Sequence, residues 1–430
     1  MRIHEINNQY VLAVSYGNYL KADGGVDKVI AEHCQLFNNA GVSYIQIAPL
    51  KPGGISGMIF NCIKRNIYTL VIDGSFQKLV DEEEIIRMLM RYERGEKQMI
   101  AFHIHHLKKN NIRFLNRISS IAKCNTYFFV HDYNSICEHP NLLENGSRFC
   151  GYTAKPCDDC IDCQYVHGIK SIQQKTRKIL GSFKNLYIVA PSKIAMNLWL
   201  MTFGDLVQEN HCFVVPHQKA FGVNTLVPDL NDKIKIAFLG KFGDKKGKNE
   251  WIKVANVVKS EKLEYELFYF GTSDIKIDGV TNVYVQVKPD NPKAMYEALV
   301  DNGINCAFLW SLCPETYSYT YHEAYSANCL VITDSDSGNI ASLVNENNNG
   351  KVYSTIEQFI SDLRDDTILD IMNKSTSKGP LKYEANTDIL NLVGGKGCIE
   401  PTYVKQSNVD LQMLINNANY KALQSHKLIR

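Results

Sequence analysis

Cys313-Pro-Glu-Thr-Tyr-Ser-Tyr-Thr-Tyr-His-Glu323-Ala324 carries two glutamates, Glu315 and Glu323, with seven residues between them. A mostly apolar run, Ile304–Trp310, precedes it, and Leu330–Thr333 follows. Both runs have the length and composition of buried strands. The piece between them is long enough for a loop and about three turns of helix. Glu315 is therefore expected in the strand-to-helix loop, and Glu323 one or two turns into the helix. In an open parallel sheet such a loop stands at the carboxyl ends of the strands, where ligands bind. Free N–H groups at the helix start, near Tyr317–Thr320, favour a phosphate or other anion. Carboxylates beside it can accept hydrogen bonds from sugar or ribose hydroxyls. Glutamates near a helix start also serve simply to complement its dipole, so the two acids alone do not define a site.

Outward from this stretch the chain alternates strand-like and helix-like segments. In the front half, strands are expected at Tyr10–Ser15, Tyr44–Ala48, Ile67–Ile72, Met99–Ile104, Thr126–Val130, Leu186–Ala190 and Cys212–Val215. Helical patterns lie at Val26–Asn39, Asp81–Arg94, Ile112–Lys123, Gly168–Gly181 and Ser192–Met201. The period lapses after Pro216, which places a linker at 218–233. Alternation resumes with strands at Ile234–Leu239, Tyr265–Phe270, Val283–Val287, Asn305–Leu309 and Leu330–Thr333, and with helices at Gly247–Ser260, Pro292–Val300, Tyr319–Ala327 and Gly338–Asn345. The pattern is that of an α/β protein with two doubly wound domains, 1–217 and 234–372. A tail, 373–430, is expected to be partly helical near Val409–Leu423.

The 430 residues are 45% apolar and 21% charged, with net charge +2, so no basic surface for nucleic acid is expected. Residues 1–217 hold 24 Lys and Arg against 19 Asp and Glu; the remainder holds 23 against 26. That mild asymmetry is compatible with a front domain near an anionic lipid surface. No apolar run approaches the ~20 residues of a membrane span, and Tyr10–Val14 is too short for the core of a secretory signal. A cytoplasmic location is expected.

Several further clusters could carry chemistry. Asp23-Gly24-Gly25 follows the first strand and opens a helix; paired glycines there permit positive φ and a close approach of backbone to ligand. Lys241 and Lys246 stand five apart in the loop after the first strand of the second half, either as phosphate ligands or as a solvated charge cluster. Phe102-His-Ile-His-His106 ends one strand and Val130-His131-Asp132 follows the next; alternation sends His103 and His105 to one face and His106 to the other. Cys150, Cys157, Cys160 and Cys163, with Cys137 upstream, have spacing suited to a closed tetrahedral zinc site, to a redox pair or to plain thiols. A metal could hold that core-poor insertion, 137–163, folded. Asp334-Ser-Asp336 is read as a loop rather than a divalent-cation site.

The phrase Pro314–Ala324, the Lys246-Gly247 loop, the Gly24-Gly25 turn and the His131–Cys163 block together resemble retaining glycosyltransferases of the GT-B fold, family 4, in the bacterial branch that builds surface polysaccharides. The resemblance spans roughly residues 10–355. It departs at Lys241, where Arg is commoner, and at Ile340-Ala341, where Pro-Glu is usual. It implies two Rossmann-like domains facing each other across a cleft, with the tail crossing back to the first domain. It implies transfer from a nucleoside-diphosphate sugar to a saccharide or lipid-linked acceptor (O-antigen, capsule, lipopolysaccharide or similar) at the inner face of the membrane. Glu315 and His131 would be catalytic. Gly24, Gly25, Lys241, Lys246, Thr316, Tyr317, Ser318 and Glu323 would bind the donor. No metal cofactor is implied for catalysis; a structural zinc on Cys150, Cys157, Cys160 and Cys163 is expected. A catalytically degenerate binding protein and a sugar-nucleotide epimerase are the alternatives.

Overall fold

The computed structural model describes residues 4–21, 24–50, 66–151, 163–225, 233–288, 291–375 and 378–394. The described chain divides into two compact units. One takes the residues up to Glu138, His167–His217 and those from Ala385 onward; the other takes His139–Val166 and Gln218–Glu384.

The first unit is built on β1 (Gln9–Val14), β2 (Ser43–Pro49), β3 (Ile67–Ile72), β4 (Ser75–Asp81), β5 (Gln98–Ile104) and β6 (Asn125–Phe129). A small hairpin of the intervening segment, β7 (Leu143–Glu144) and β8 (Arg148–Phe149), comes next, followed by β9 (Leu186–Ala190) and β10 (Cys212–Val214). The eight-stranded sheet has the order β10-β9-β6-β5-β1-β2-β3-β4. It is parallel from β10 through β2; the β2–β3 and β3–β4 pairings at the other edge are antiparallel. Strand β4 was not foreseen: its sequence, Ser-Phe-Gln-Lys-Leu-Val-Asp, looks like loop and helix start. The hairpin is made by Asp73-Gly74, both at positive φ, a pair that favours a tight turn between strands.

Helices α1 (Gly25–Asn39), α2 (Glu82–Arg94), α3 (Ile112–Ile121), α4 (Val166–Leu180) and α5 (Lys193–Phe203) connect these strands. Their starts carry the residues that ends require. Asp81 accepts from the Glu84 N–H at 2.8 Å, Asn111 from Arg113 and Ser192 from Ala195. Glu82, Glu83 and Glu84 at the start of α2, with Arg91 and Arg94 at its end, complement the helix dipole.

The second unit has six strands in its sheet: β12 (Ile234–Leu239), β13 (Tyr265–Gly271), β14 (Val280–Tyr284), β15 (Cys306–Phe308), β16 (Leu330–Asp334) and β17 (Gly350–Tyr353). Every pairing is parallel, in the order β14-β13-β12-β15-β16-β17. Counted from β12 that is 3-2-1-4-5-6, the doubly wound dinucleotide-fold order, with its topological switch point between β12 and β15. Alternate residues of one strand feed opposite cores. Ile236 and Phe238 join Trp251, Phe308 and Phe359, whereas Ala237 and Leu239 join Phe270, Leu299 and Tyr321. Burial on both faces is what a parallel sheet needs. Its helices are α6 (Lys248–Ser260), α7 (Ala294–Asp301), α8 (Tyr319–Ser326), α9 (Asn339–Asn347), α10 (Ile356–Arg364) and α11 (Thr367–Lys374).

Two expectations change here. The strand expected at Val283–Val287 lies three residues earlier. The presumed linker contains a strand, β11 (Gln218–Phe221), paired in a two-stranded ribbon with β18 (Lys382–Ala385). Beyond it, α12 (Asp388–Gly394) packs on α1 and β5 of the first unit, where the Tyr127 hydroxyl donates to the Leu392 carbonyl at 3.1 Å. The helix expected near Val409–Leu423 lies outside the described residues. No helix among the described residues is long and apolar enough to cross a membrane.

Candidate active site

In the second unit, two loops leave the carboxyl ends of β12 and β15, the strands that flank the switch point. The β12 loop carries Lys241 and Lys246; the β15 loop carries Glu315. They meet: Lys246 Nζ lies 2.6 Å from Glu315 Oε1. The same oxygen accepts from Ser311 Oγ at 2.8 Å. The Glu315 backbone is pinned as well, its N–H donating to Ser337 O at 3.2 Å and its carbonyl accepting from Asn339 N–H at 3.0 Å. Burial alone would raise the Glu315 carboxyl, but the Lys246 ammonium, the Ser311 hydroxyl and Lys245 together outweigh it and hold the group below the usual carboxylate range. Burial pulls Lys246 down, and Glu315 more than restores it, leaving the ammonium above its ordinary value.

Helix α8 begins on Ser318, whose hydroxyl accepts from the Tyr321 N–H at 3.2 Å. Tyr317 is buried and stacks on His322 with ring centroids 4.4 Å apart. Thr316 and Glu323 are half-buried, and Glu323 lies in the second turn of the helix. Lys241 is exposed, with no ion pair among the described residues. Asp334, expected in a loop, is instead the last residue of β16, and Asp336 lies in the loop after it; both are buried, and Asp334 Oδ1 accepts from the Asp336 N–H at 2.7 Å.

In the first unit, the loops after β1, β5 and β6 hold Gly24, His105 and His131. Gly24 precedes α1 with φ −173°, an extended conformation open to any residue, and Gly25 begins the helix. Neither glycine adopts the positive φ that such a pair permits. A close approach remains available, because a Cβ on Gly24 would meet no atom within 4 Å. Asp23 lies outside the described residues. His131 Nε2 stands 2.8 Å from His105 Nδ1, and burial pushes His131 down to about 4. His106 turns the other way, with Nε2 at 3.2 Å from Asp132 Oδ2 and its ring against Tyr16. A cavity of about 250 Å³ opens beside these residues, lined by His105, His106, Lys108, Asp132, Asn134 and Lys175.

His33, His103 and His105 are buried with ring nitrogens within 4.8 Å of one another, and His33 Nδ1 and His103 Nε2 have no hydrogen-bond partner among the described residues. The group does not fit a divalent cation. Both nitrogens of His105 are already engaged, by Tyr44 and by His131, so His105 has no nitrogen left to offer a cation. Of the cysteines expected to bind zinc, Cys157 and Cys160 lie outside the described residues. Cys150 and Cys163 flank that gap; Cys163 is buried and Cys150 half-buried.

Sequence reasoning missed Ser311, Tyr44 and His33. Ser311 ends an apolar run, and Tyr44 and His33 occupy core positions of a strand and a helix. None stands in a pattern that separates it from ordinary packing.

No family model matches the chain, and no curated protein matches it. Solved structures do. The chain is similar, over 98% of its length and 99% of the other chain, to a sucrose-phosphate synthase from Thermosynechococcus elongatus, with TM-score 0.52 and 11% identity. Over the same shares it is similar to a glycosyltransferase from Rickettsia africae, with TM-score 0.51 and 13% identity. It is also similar, again over 98% and 99%, to Anabaena HepE in complex with UDP, with TM-score 0.51 and 10% identity. At such identities the likeness shows the fold: an α/β protein of the GT-B class.

Proposed function

We propose that the protein is a glycosyltransferase that moves a sugar from a nucleoside-diphosphate sugar to a hydroxyl of a saccharide or lipid-linked acceptor, with retention of anomeric configuration, as in family 4. The observation that carries this is the Lys246–Glu315 pair at the switch point of a 3-2-1-4-5-6 sheet. There the fold presents an ammonium for a diphosphate and a carboxylate for sugar hydroxyls. The UDP carried by the structurally similar HepE supports the same ligand class.

On donor binding, Lys246 would turn from Glu315 to the diphosphate, helped by Lys241, the Gly24-Gly25 turn and the N–H groups of Thr316–Ser318. Charge on the leaving group is then met by fixed donors. Glu315, still held by Ser311, would accept from a sugar hydroxyl and support the positive anomeric carbon. Glu323 would take the ribose, and His131 the transferred sugar. The bond from C1 to the diphosphate oxygen breaks as the acceptor oxygen bonds to C1. The acceptor proton passes to the departing phosphate, so no protein base is needed. The 250 Å³ cavity of the first unit offers the acceptor polar and cationic walls.

A role in bacterial surface polysaccharide synthesis, work at the inner face of the membrane and a structural zinc on Cys150, Cys157, Cys160 and Cys163 complete the proposal. Incubation with a panel of sugar nucleotides tests it. Release of nucleoside diphosphate that depends on Glu315 supports transfer or slow hydrolysis. A C2-inverted sugar nucleotide as the product would replace the reading with epimerisation, and an inert panel would remove it.

A further inference from the structure

We infer that Tyr44 and His105 are positioning residues that hold His131 as its Nδ1–H tautomer. The chain of contacts runs from β2 to the loops that follow β5 and β6. Tyr44 in β2 places its hydroxyl oxygen 3.0 Å from His105 Nε2, and His105 Nδ1 lies 2.8 Å from His131 Nε2. Packing holds the geometry: His105 is buried, and its ring lies nearly parallel to Phe129, at 4.5 Å and 12°, and to His131, at 5.1 Å and 13°, while Phe129 and His131 are themselves 5.8 Å apart.

The proton positions follow from acidity. Burial keeps both imidazoles neutral at pH 7, so they share one proton along their Nδ1···Nε2 contact. A phenol is a better donor than a neutral imidazole, and an imidazole nitrogen a better acceptor than a phenol oxygen. Tyr44 therefore donates to His105 Nε2. That leaves the His105 proton on Nδ1, donating to His131 Nε2, and the His131 proton on Nδ1. The competing acceptor for Tyr44, His103 Nδ1, is farther away at 3.4 Å. A ring nitrogen's state is set by the bond its partner nitrogen makes. Free histidine prefers the opposite tautomer, so the relay reverses an intrinsic preference. The catalytic consequence rests on the reading that His131 meets the transferred sugar. In this state its Nδ1 offers a proton to an oxygen and cannot act as a base.

Two-bond ¹⁵N–¹H correlation of histidine-labelled protein reads the tautomer directly, with His131 assigned by its loss in His131→Gln. Wild type should show Nδ1–H. Tyr44→Phe, which keeps the ring packing, should admit Nε2–H. His105→Leu should convert His131 to Nε2–H, and His105→Asn, whose amide reaches toward the old Nδ1 position, should restore Nδ1–H. Turnover should fall about tenfold in Tyr44→Phe and His105→Leu, with the donor KM nearly unchanged, and recover in His105→Asn. Nε2–H in wild type, or a tautomer indifferent to both Tyr44→Phe and His105→Leu, overturns the inference. Tautomers that switch as stated while turnover stays constant uphold the relay and instead remove His131 from the proposed function.

Discussion

Lys246 and Glu315, 69 positions apart, form a 2.6 Å ion pair from loops on either side of the topological switch point. Their side chains are 30% and 15% exposed, so each is shielded enough for the loss of its partner to be felt. Lys246→Ala and Glu315→Ala should each lower turnover by about 10²–10³-fold. The double variant should lose little more than either single one, because the groups act together. Steady-state rates of the three variants check this; near-normal transfer by either single variant contradicts it.

The pair also predicts a pH dependence of stability. Glu315 has a lowered pKa in the folded state, so its contribution is present above the usual carboxylate value and is lost as pH falls through the lowered one. Lys246 has a raised pKa, so its contribution is complete below the usual lysine value and is lost as pH rises through the raised one. Denaturant midpoints of wild type and Glu315→Gln should therefore differ most near neutrality and converge at both extremes. A constant difference across the range would contradict the pairing.

A second acid sensitivity comes from the first unit. His131 is pushed down to about 4, His33 to about 3, and His103 and His105 well below the ordinary value, each chiefly by burial. The unfolded chain binds more protons than the folded one below about pH 6.5. Stability is complete above that value and should fall as pH drops toward the folded pKa values. Each histidine adds a slope approaching 1.4 kcal/mol per pH unit, as an order of magnitude. Urea midpoints at pH 7, 6 and 5 measure it, and equal midpoints would contradict it.

Two glycines should separate stability from activity. Gly338 has φ 61° and ψ −115°, and a Cβ there would stand 2.6 Å from Pro314 Cα and 2.8 Å from the Glu315 nitrogen. Gly338→Ala should cost about 1–3 kcal/mol and displace the Glu315 loop. Gly24→Ala has open space and an extended backbone, so it should cost less than about 1 kcal/mol while weakening donor binding. Melting temperatures with donor KM values distinguish the two. A Gly24→Ala enzyme with normal KM would remove that turn from the donor site.

The sequence was most legible where period and punctuation agree. The strands Ile67–Ile72, Leu186–Ala190 and Ile234–Leu239 are buried on both faces, and their apolar runs end at Asp73, Pro191 and Gly240. Strand β4 escaped because Phe76 and Leu79 are exposed on an edge, so no apolar alternation marks it. Strand β14 was misplaced because Val283, Val285 and Val287 continue an alternation beyond the point where pairing stops. At the site, the types and loops of Lys246, Glu315 and His131 could be read, since turn chemistry and strand ends locate them. Their partners could not. Ser311, Tyr44 and His105 reach them through contacts that join distant strands, which local patterns do not encode.

The cysteine segment gives an independent prediction. If Cys150, Cys157, Cys160 and Cys163 hold a structural ion, reduced protein should contain about one zinc per chain, and Cys163→Ser should lose it together with thermal stability. Elemental analysis decides this. Metal-free protein whose four thiols titrate freely contradicts it.

The account depends most on a nucleotide diphosphate bound at the Lys246–Glu315 loops, and thermal unfolding against a panel of nucleoside diphosphates tests that directly. At ~100 times its dissociation constant, a ligand adds about 2.7 kcal/mol. The account predicts that at least one nucleoside diphosphate raises the melting temperature of wild type and fails to do so for Lys246→Ala at the same concentration. A wild-type melting temperature indifferent to every nucleotide, or a shift fully retained in Lys246→Ala, would contradict it.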